Sequence, residues 1–228
     1  MITLRIRFLT MEAVLKDVDC VCLDVDSTVV AEEGIDALAD AAGVGERVAA
    51  LTKKAMEGGM TLQDALAARL DLIKPSRELL DRLVARKPPF TEGIQAFVAQ
   101  MHSRNVPVFL VSGGFRQMLE PIARELKIPS ENVFANVLLF EEKTGEFVGL
   151  DRSQPTSKQG GKAIVIRQLK DKFGFKKLVL IGDGITDLEA KPPADVFIGF
   201  GGVSVRPKVQ AGADKFIYSF RELLFESK

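Results

Sequence analysis

The chain has 228 residues, with 31 basic and 31 acidic side chains, so its formal net charge at pH 7 is zero. A neutral chain has no overall cationic field, which argues against sequence-independent binding of nucleic acid. One histidine and two cysteines exclude histidine-rich sites and four-cysteine zinc cages. Any catalysis must therefore rest mostly on carboxylates, lysine, arginine, serine and backbone donors.

Residues 1–12 form a predicted N-terminal extension. It is apolar, contains Arg5 and Arg7, and has no acid before Glu12. This composition resembles a fragment of a signal or transit sequence, but the stretch is short and has no clear cleavage site, so we expect an ordered turn or a frayed tail. No run of about 18 apolar residues follows, which predicts that the protein has no membrane partner. We expect a cytoplasmic location, or an organelle such as a plastid if the N-terminus belongs to a transit sequence.

Short apolar runs alternate with helical patterns along most of the chain. Each run is too short for a helix and lacks polar alternation, which is typical of strands buried on both faces. The alternation predicts an α/β fold, a Rossmann-like doubly wound parallel sheet. The predicted strands are Cys20–Val25, Val106–Val111, Lys177–Ile181 and Val196–Phe200, and the predicted helices between them are Glu92–Asn105, Phe115–Leu126 and Lys162–Phe173.

Two segments interrupt this pattern. Residues 31–91 contain four consecutive helical patterns and no strand, which predicts a helical cap inserted after the first strand. Such an insert would cover the ligand-binding edge of the sheet and act as a lid. Residues 136–150 form a predicted antiparallel hairpin flap around Gly145. The catalytic core would then be discontinuous, comprising residues 13–30 and 92–228.

Two carboxylates, Asp24 and Asp26, follow the first predicted strand. Alternation along a strand places them on one side, where a cation or a shared proton must offset their repulsion. They could bind Mg²⁺, or one could attack a substrate while the other transfers protons. The alternative is a polar turn in which aspartate caps a helix.

Three further motifs follow strands or begin helices. Ser112 and Gly113 could bind an anion through a hydroxyl and backbone N–H groups, or form an ordinary tight turn. Lys162 begins a helix, where a nearby anion would offset the unfavourable dipole, although a solvated lysine is the alternative. Asp183 and Asp187 could bind a metal directly and support its shell, or serve as turn and capping acids. Parallel strands would bring all these motifs to one edge, and the combination is typical of phosphoryl transfer.

At these residues the sequence resembles the haloacid dehalogenase superfamily, whose marks are Asp-x-Asp-x-Thr, a Ser or Thr, a Lys, and Gly-Asp-Gly-x-x-Asp. Within it, the sequence is similar to the phosphoserine phosphatase family. The segments that carry the similarity are DVDST with EEGID, SGGFR, NVFAN, QPT, and IGFGG. The resemblance extends from about residue 13 to the C-terminus.

The resemblance implies hydrolysis of O-phospho-L-serine, the last step of serine biosynthesis, with one Mg²⁺ per chain. It implies that Asp24 forms an aspartyl-phosphate and that Asp26 transfers protons. It also implies a monomer or homodimer that binds this small molecule and no nucleic acid. The implied metal ligands are Asp24, the carbonyl of Asp26 and Asp183, supported by Asp187; the implied substrate-binding residues are Glu33, Met56, Arg69, Ser112, Gly113, Lys162 and Thr186.

The sequence departs from the family pattern at two places. Glu57 separates Met56 from Gly58-Gly59, and Val203-Ser204 occupy a place where the family often has asparagine. Alternatives that keep the chemistry are another small phosphomonoester or a phosphotransfer reaction. A slowly hydrolysing phospho-acceptor module is the alternative from another class, although such modules lack an inserted lid.

Overall fold

The structure is a computed structural model that describes residues 10–56 and 60–225, without the side chains of Met56 and Leu62. The described strands are β1 (Cys20–Leu23), β2 (Val108–Phe115), β3 (Val133–Asn136), β4 (Leu138–Phe140), β5 (Phe147–Leu150), β6 (Leu178–Gly182), β7 (Val196–Phe200) and β8 (Lys215–Ile217). Six of them form a parallel sheet in the order β3-β2-β1-β6-β7-β8, and β4 and β5 form a separate antiparallel pair. The order reverses beside β1, the position where open α/β sheets bind ligands.

Helices connect the strands and cover both faces of the sheet. None of the described helices is long and apolar enough to cross a bilayer. The helices are α1 (Met11–Leu15), α2 (Gly34–Ala41), α3 (Gly45–Met56), α4 (Leu62–Ile73), α5 (Arg77–Val84), α6 (Ile94–Ser103), α7 (Arg116–Glu125), α8 (Gly161–Phe173), α9 (Ile185–Leu188) and α10 (Pro207–Gly212).

The side chains of β1 show why the strand runs contain no polar alternation. Val21 and Leu23 pack with α1, α6 and α7 on one face of the sheet. Cys20 and Cys22 pack with α8 and α10 on the other face. Because both faces are covered, each residue of the strand is buried, as an apolar run requires. The predicted doubly wound α/β fold is confirmed.

Helices α2 to α5 form the helical insertion between β1 and α6. Leu38 and Leu70 belong to its own apolar cluster, which also includes Phe115 from the end of β2. An antiparallel bridge between Val30 and Phe90 joins the two connections between the insertion and the sheet. The insertion therefore rests on the edge of the sheet where β1 and β2 end.

The hairpin lies against the same insertion. Leu138 of β4 is buried in the apolar cluster of the cap, and the rings of Phe140 and Phe147 meet edge-on at 6.3 Å between centroids. The predicted flap is thus confirmed as a separate antiparallel pair. The division into an extension (1–12), a core (13–30 and 92–228) and a cap (31–91) stays a prediction, and residues 1–9 lie outside the described residues.

Two edge strands, β3 and β8, were not predicted. Each has four residues or fewer, which is too short for a hydrophobic period to appear. Pairing with β2 and β7 stabilises them. The predicted strand Cys20–Val25 also ends early, at Leu23, because the chain turns there into the loop that carries Asp24 and Asp26.

Candidate active site

The carboxyl ends of β1, β2 and β6 border one cavity of about 280 Å³. Motifs that are far apart in sequence meet here because parallel strands end at the same edge of the sheet. The predicted residues on its wall are Asp24, Asp26, Glu33, Arg69, Gly113, Lys162, Asp183 and Thr186. A larger cleft of about 650 Å³ lies between α4 and the hairpin, but none of the predicted catalytic residues lines it, so we place the site in the smaller cavity.

A buried ion-pair network connects Asp24, Lys162 and Asp187. Lys162 Nζ lies 2.8 Å from Asp24 Oδ1 and donates to Asp187 Oδ1 at 2.7 Å. Burial alone would lower the pKa of Lys162, but the adjacent carboxylates of Asp187 and Asp24 raise it above its ordinary value. Lys162 therefore stays charged and can hold an anion beside Asp24.

Asp24, Asp183 and Asp187 form a cluster suited to a hard cation. Their ligand oxygens all lie within 4.8 Å of one another, and all three residues are buried. Burial, followed by repulsion from Asp24, raises the pKa of both Asp183 and Asp187. A bound divalent cation would relieve this repulsion, and carboxylate oxygens are the donors that Mg²⁺ prefers. The donor set thus fits Mg²⁺.

The carboxylate of Asp26 is directed away from that cluster. Its Oδ1 accepts a hydrogen bond from Gly34 N at 2.9 Å, at the start of the cap. A Cβ on Gly114 would lie 2.8 Å from Asp26 Oδ2, so only glycine leaves room there. Burial, then Asp24 and Glu33, raise the pKa of Asp26 to about 7. A carboxyl group with this pKa can donate and accept protons near neutral pH.

Gly113 lines the cavity, whereas its neighbour Ser112 is not one of the residues on the cavity wall. The side chain of Ser112 is fully buried, and its Oγ accepts a hydrogen bond from Gly114 N at 2.9 Å. This bond directs the hydroxyl hydrogen of Ser112 elsewhere, where an acceptor such as a phosphoryl oxygen can use it. Gly113 is exposed to the cavity, which permits a close approach to its backbone.

Glu33 and Arg69 bring charges from the cap into the cavity. Glu33 lies at the start of α2, where its Oε1 accepts a hydrogen bond from Ser27 Oγ at 2.7 Å, and burial raises its pKa. Arg69 lies on α4, and its Nε donates to the carbonyl oxygen of Ala65 at 3.1 Å. The terminal nitrogens of Arg69 can still form a two-pronged contact with a carboxylate.

Two predicted substrate-binding residues, Thr186 and Met56, remain to be located. Thr186 lies on the cavity wall, at the start of α9. Met56 ends α3, and its side chain lies outside the described part of the structure. The turn at Glu57, Gly58 and Gly59 is likewise outside the described residues, so its effect on the lid stays a prediction.

Arg206 is a site residue that the sequence analysis missed. It follows β7, and its Nε donates to Asp183 Oδ2 at 2.9 Å. Its Nη2 also lies 3.8 Å from Glu33 Oε1, so one guanidinium connects the acidic cluster to the cap. The sequence did contain a signal for Arg206. It follows the end of a predicted strand, at the same edge of the sheet as the other motifs.

Comparison with known proteins agrees with this geometry. The sequence model of the haloacid dehalogenase-like hydrolases matches residues 21–190. A phosphoserine phosphatase from Homo sapiens is 53% identical over 209 residues, covering 91% of this chain and 92% of its own length. A chloroplastic phosphoserine phosphatase from Arabidopsis thaliana is 47% identical over 212 residues, covering 92% of this chain and 72% of the relative.

A solved structure has the same architecture. It is a phospho-aspartyl intermediate analogue of a phosphoserine phosphatase, with a TM-score of 0.77 and 29% sequence identity. The match covers 90% of this chain and 96% of that one. The chain therefore belongs to the haloacid dehalogenase-like hydrolases, and within them to the phosphoserine phosphatase family.

Proposed function

We propose that this protein hydrolyses O-phospho-L-serine to L-serine and inorganic phosphate, as the last step of serine biosynthesis. The observation that carries the proposal is that one cavity combines a phosphoryl-transfer centre with an acid and an arginine from the cap. The phosphoryl-transfer centre comprises Asp24, Asp26 and Lys162. Glu33 and Arg69 suit the ammonium and carboxylate groups of an amino acid.

Asp24 is the nucleophile in this mechanism. Its Oδ1 accepts hydrogen bonds from Val25 N at 2.8 Å and from Lys162, so its other oxygen, Oδ2, is the candidate for attack. Attack forms a bond from this oxygen to phosphorus and breaks the ester bond to the serine oxygen. Hydrolysis of the resulting aspartyl-phosphate by water returns the free carboxylate of Asp24.

Asp26 transfers the protons. In its protonated form it donates a proton to the departing serine oxygen, and as a carboxylate it then takes a proton from the attacking water. A pKa of about 7 makes both forms accessible near neutral pH. The hydrogen bond from Gly34 orients this carboxyl group from the first turn of the cap.

One Mg²⁺ per chain would be held by Asp24, Asp183 and the backbone carbonyl of Asp26, with Asp187 in support. When bound, it supplies positive charge that offsets the negative charge of the phosphoryl group. Lys162, the hydroxyl of Ser112 and the backbone N–H of Gly113 would bind the phosphoryl oxygens. Met56 and Thr186 would complete the substrate contacts.

We propose a cytoplasmic monomer or homodimer for this enzyme, acting on the small molecule and not on nucleic acid. An organelle remains the alternative location if residues 1–12 belong to a transit sequence. Gel filtration and fractionation of cells that express the tagged chain test both proposals directly.

The decisive experiment measures phosphate release with and without Mg²⁺ from phosphoserine, phosphothreonine and a sugar phosphate. We expect Mg²⁺-dependent release that is fastest with phosphoserine. Equal rates on all three substrates would contradict the assigned substrate. Transfer of the phosphoryl group from phosphoserine to an added alcohol would indicate a transferase.

The covalent step is tested with Asp24→Asn and Asp26→Asn. We expect Asp24→Asn to abolish turnover and labelling of the protein by ³²P-phosphoserine, because an amide does not attack phosphorus. Asp26→Asn should lower kcat by about 10²- to 10⁴-fold, the usual contribution of a positioned acid–base group. Full activity of Asp24→Asn would contradict the mechanism, and unchanged melting temperatures exclude misfolding as the cause.

A further inference from the structure

Asn136 and Thr156 are buried polar residues without a role in the mechanism above. Asn136 ends β3 and is 1% exposed, and Thr156 is 7% exposed in the turn Pro155–Ser157. Polar groups at such depth lose hydration and therefore need hydrogen-bond partners. Their hydrogen bonds connect the two parts of the chain that would bind the phosphoryl group, the segment of Ser112 and Gly113 and the start of α8.

On one side, Asn136 holds the irregular end of β2 that contains Ser112 and Gly113. Its Nδ2 donates to the carbonyl oxygen of Gly113 at 2.7 Å. The next N–H along the chain, that of Gly114, donates to Ser112 Oγ at 2.9 Å. The peptide group between Gly113 and Gly114 is therefore held at both its oxygen and its nitrogen, which fixes the orientation of this segment of β2.

On the other side, Asn136 contacts the segment that precedes Lys162. Thr156 Oγ1 donates to Asn136 Oδ1 at 3.0 Å. Because a carbonyl oxygen can only accept, the bond to Gly113 requires that the NH₂ group of Asn136 face it, and its oxygen then faces Thr156. The two hydrogen bonds thus determine each other's direction.

The turn that contains Thr156 packs closely against the start of α8. Gly161 is the residue before Lys162, and a Cβ at this position would collide with the carbonyl oxygen of Pro155. The backbone of the turn therefore sets where α8 begins. A displacement of Thr156 would be transmitted to the position of Lys162.

We propose that Asn136 and Thr156 are positioning residues that hold the Ser112–Gly114 segment of β2 and the start of α8 in register around the phosphoryl group. This inference rests on the proposed function, because it names how that site is preorganised. Hydrogen-bond donors contribute to phosphoryl transfer only when they are fixed where the charge develops, and misplacement by about 1 Å can cost about 100-fold in rate.

The chain offers matched controls for each residue. Asn132 immediately precedes β3, at the end opposite Asn136, and donates from Nδ2 to the carbonyl oxygen of Val108 at 3.0 Å. Asn132→Ala therefore removes the same kind of bond between β3 and β2, away from the cavity. Thr156→Val removes the hydroxyl at nearly constant volume, whereas Thr156→Ser retains it.

The experiment measures kcat and KM with phosphoserine, together with binding of inorganic phosphate in the presence of Mg²⁺ by calorimetry. We expect Asn136→Ala and Thr156→Val each to weaken phosphate binding and lower kcat by about 10- to 100-fold. Thr156→Ser should stay within about threefold of wild type. Asn132→Ala should lower the melting temperature but leave phosphate affinity unchanged. The double variant should lose little more than Asn136→Ala, because the two residues act through one chain of bonds.

Phosphate affinity and kcat at the wild-type level in Thr156→Val would overturn the inference. So would equal losses in Asn136→Ala and Asn132→Ala, since these would indicate a structural role only. If Asn136→Ala does not fold, the comparison of Thr156→Val with Thr156→Ser decides. If the wild type binds phosphate but does not hydrolyse phosphoserine, the proposed function fails, and phosphate binding alone still decides whether these residues position the Ser112–Gly114 segment.

Discussion

At the scale of single residues, the site works by compensating charges within a protein whose net charge is zero. Lys162 forms ion pairs with two of the buried carboxylates, Asp24 and Asp187, and its single charge compensates only one of them. Arg206 neutralises the third, Asp183, and also approaches Glu33. A divalent cation and an ammonium group would each approach a carboxylate that Arg206 already contacts. Arg206 therefore competes with them electrostatically.

Replacing Arg206 by glutamine should strengthen Mg²⁺ binding. The guanidinium beside Asp183 repels a cation and occupies one carboxylate oxygen, so its removal should lower the dissociation constant for Mg²⁺ by roughly three- to tenfold. Calorimetric titration with Mg²⁺ alone measures this effect without turnover. Arg221→Gln is the control, because Arg221 pairs with Glu92 in a mostly exposed salt bridge. Weaker Mg²⁺ binding in Arg206→Gln would show that the arginine organises the cluster instead.

At the scale of elements, the site depends on the relative position of β1 and β6. Asp19, just before β1, is the residue that connects their starting points. Its Oδ2 accepts hydrogen bonds from the backbone N–H groups of Lys176 and Lys177, at 2.6 and 2.8 Å. These two bonds lower the pKa of Asp19 below its ordinary value of 3.8. Asp24 and Asp183 follow the other ends of these strands, so their relative position depends on how β1 and β6 are aligned.

Asp19→Ala should therefore destabilise the protein in a pH-dependent manner. Because the pKa is lower in the folded state, the carboxylate stabilises the fold above pH 3.8 and ceases to do so as the pH falls through its folded-state pKa. We expect a loss of about 1 kcal/mol in the free energy of unfolding at pH 7, modest because the group is exposed.

Urea unfolding of wild type and Asp19→Ala at pH 7 and near pH 3 measures the difference. The difference between the two proteins should be smaller at the lower pH. Asp17→Ala, an exposed aspartate two residues earlier, should change stability little at either pH. A difference that persists undiminished near pH 3 would mean that packing, and not the carboxylate, is responsible.

At the scale of the whole molecule, the cap and the core each supply half of the proposed recognition. The core contributes the groups for phosphoryl transfer, while Glu33 and Arg69 approach from the helical insertion. In the proposed function the core groups would contact the phosphoryl group, which all phosphomonoesters share. Selectivity should therefore depend on contacts that span the two halves, and it should be separable from the chemistry.

Arg69→Lys should impair selectivity specifically. A lysine retains the charge but cannot bind both oxygens of a carboxylate with a planar fork. We expect kcat/KM for phosphoserine to fall by about 10- to 100-fold, in line with the loss of a charge-assisted hydrogen bond. Phosphoethanolamine has no carboxylate, so its kcat/KM should change by less than about threefold.

Steady-state kinetics with both substrates check this expectation. Arg82→Lys, an exposed position on α5 that pairs with Glu78, should leave both values unchanged. Equal losses on phosphoserine and phosphoethanolamine would contradict carboxylate binding by Arg69 and indicate a general effect on the cap.

The sequence alone was enough to nominate the candidate site residues, since Asp24, Ser112, Lys162 and Asp183 each follow a buried run or begin a helix. Those signals are local, because a buried strand requires a run of apolar residues and a tight turn favours glycine and aspartate. They also sufficed to predict the sheet and the flap. The edge strands β3 and β8 were not predicted, because pairing with neighbouring strands stabilises them and their own sequences show no periodicity.

Only the tertiary structure decided which side chains meet. Arg206 contacts Asp183 and Glu33 because the ends of β6 and β7 and the cap converge on one cavity. Asn136 connects Gly113 to Thr156 across 23 and 20 residues of sequence. No periodicity or spacing encodes such contacts, because they depend on the order of the strands and on the direction of individual hydrogen bonds. The sequence thus indicated the candidate reacting groups, and only the fold showed which residues contact them from other parts of the chain.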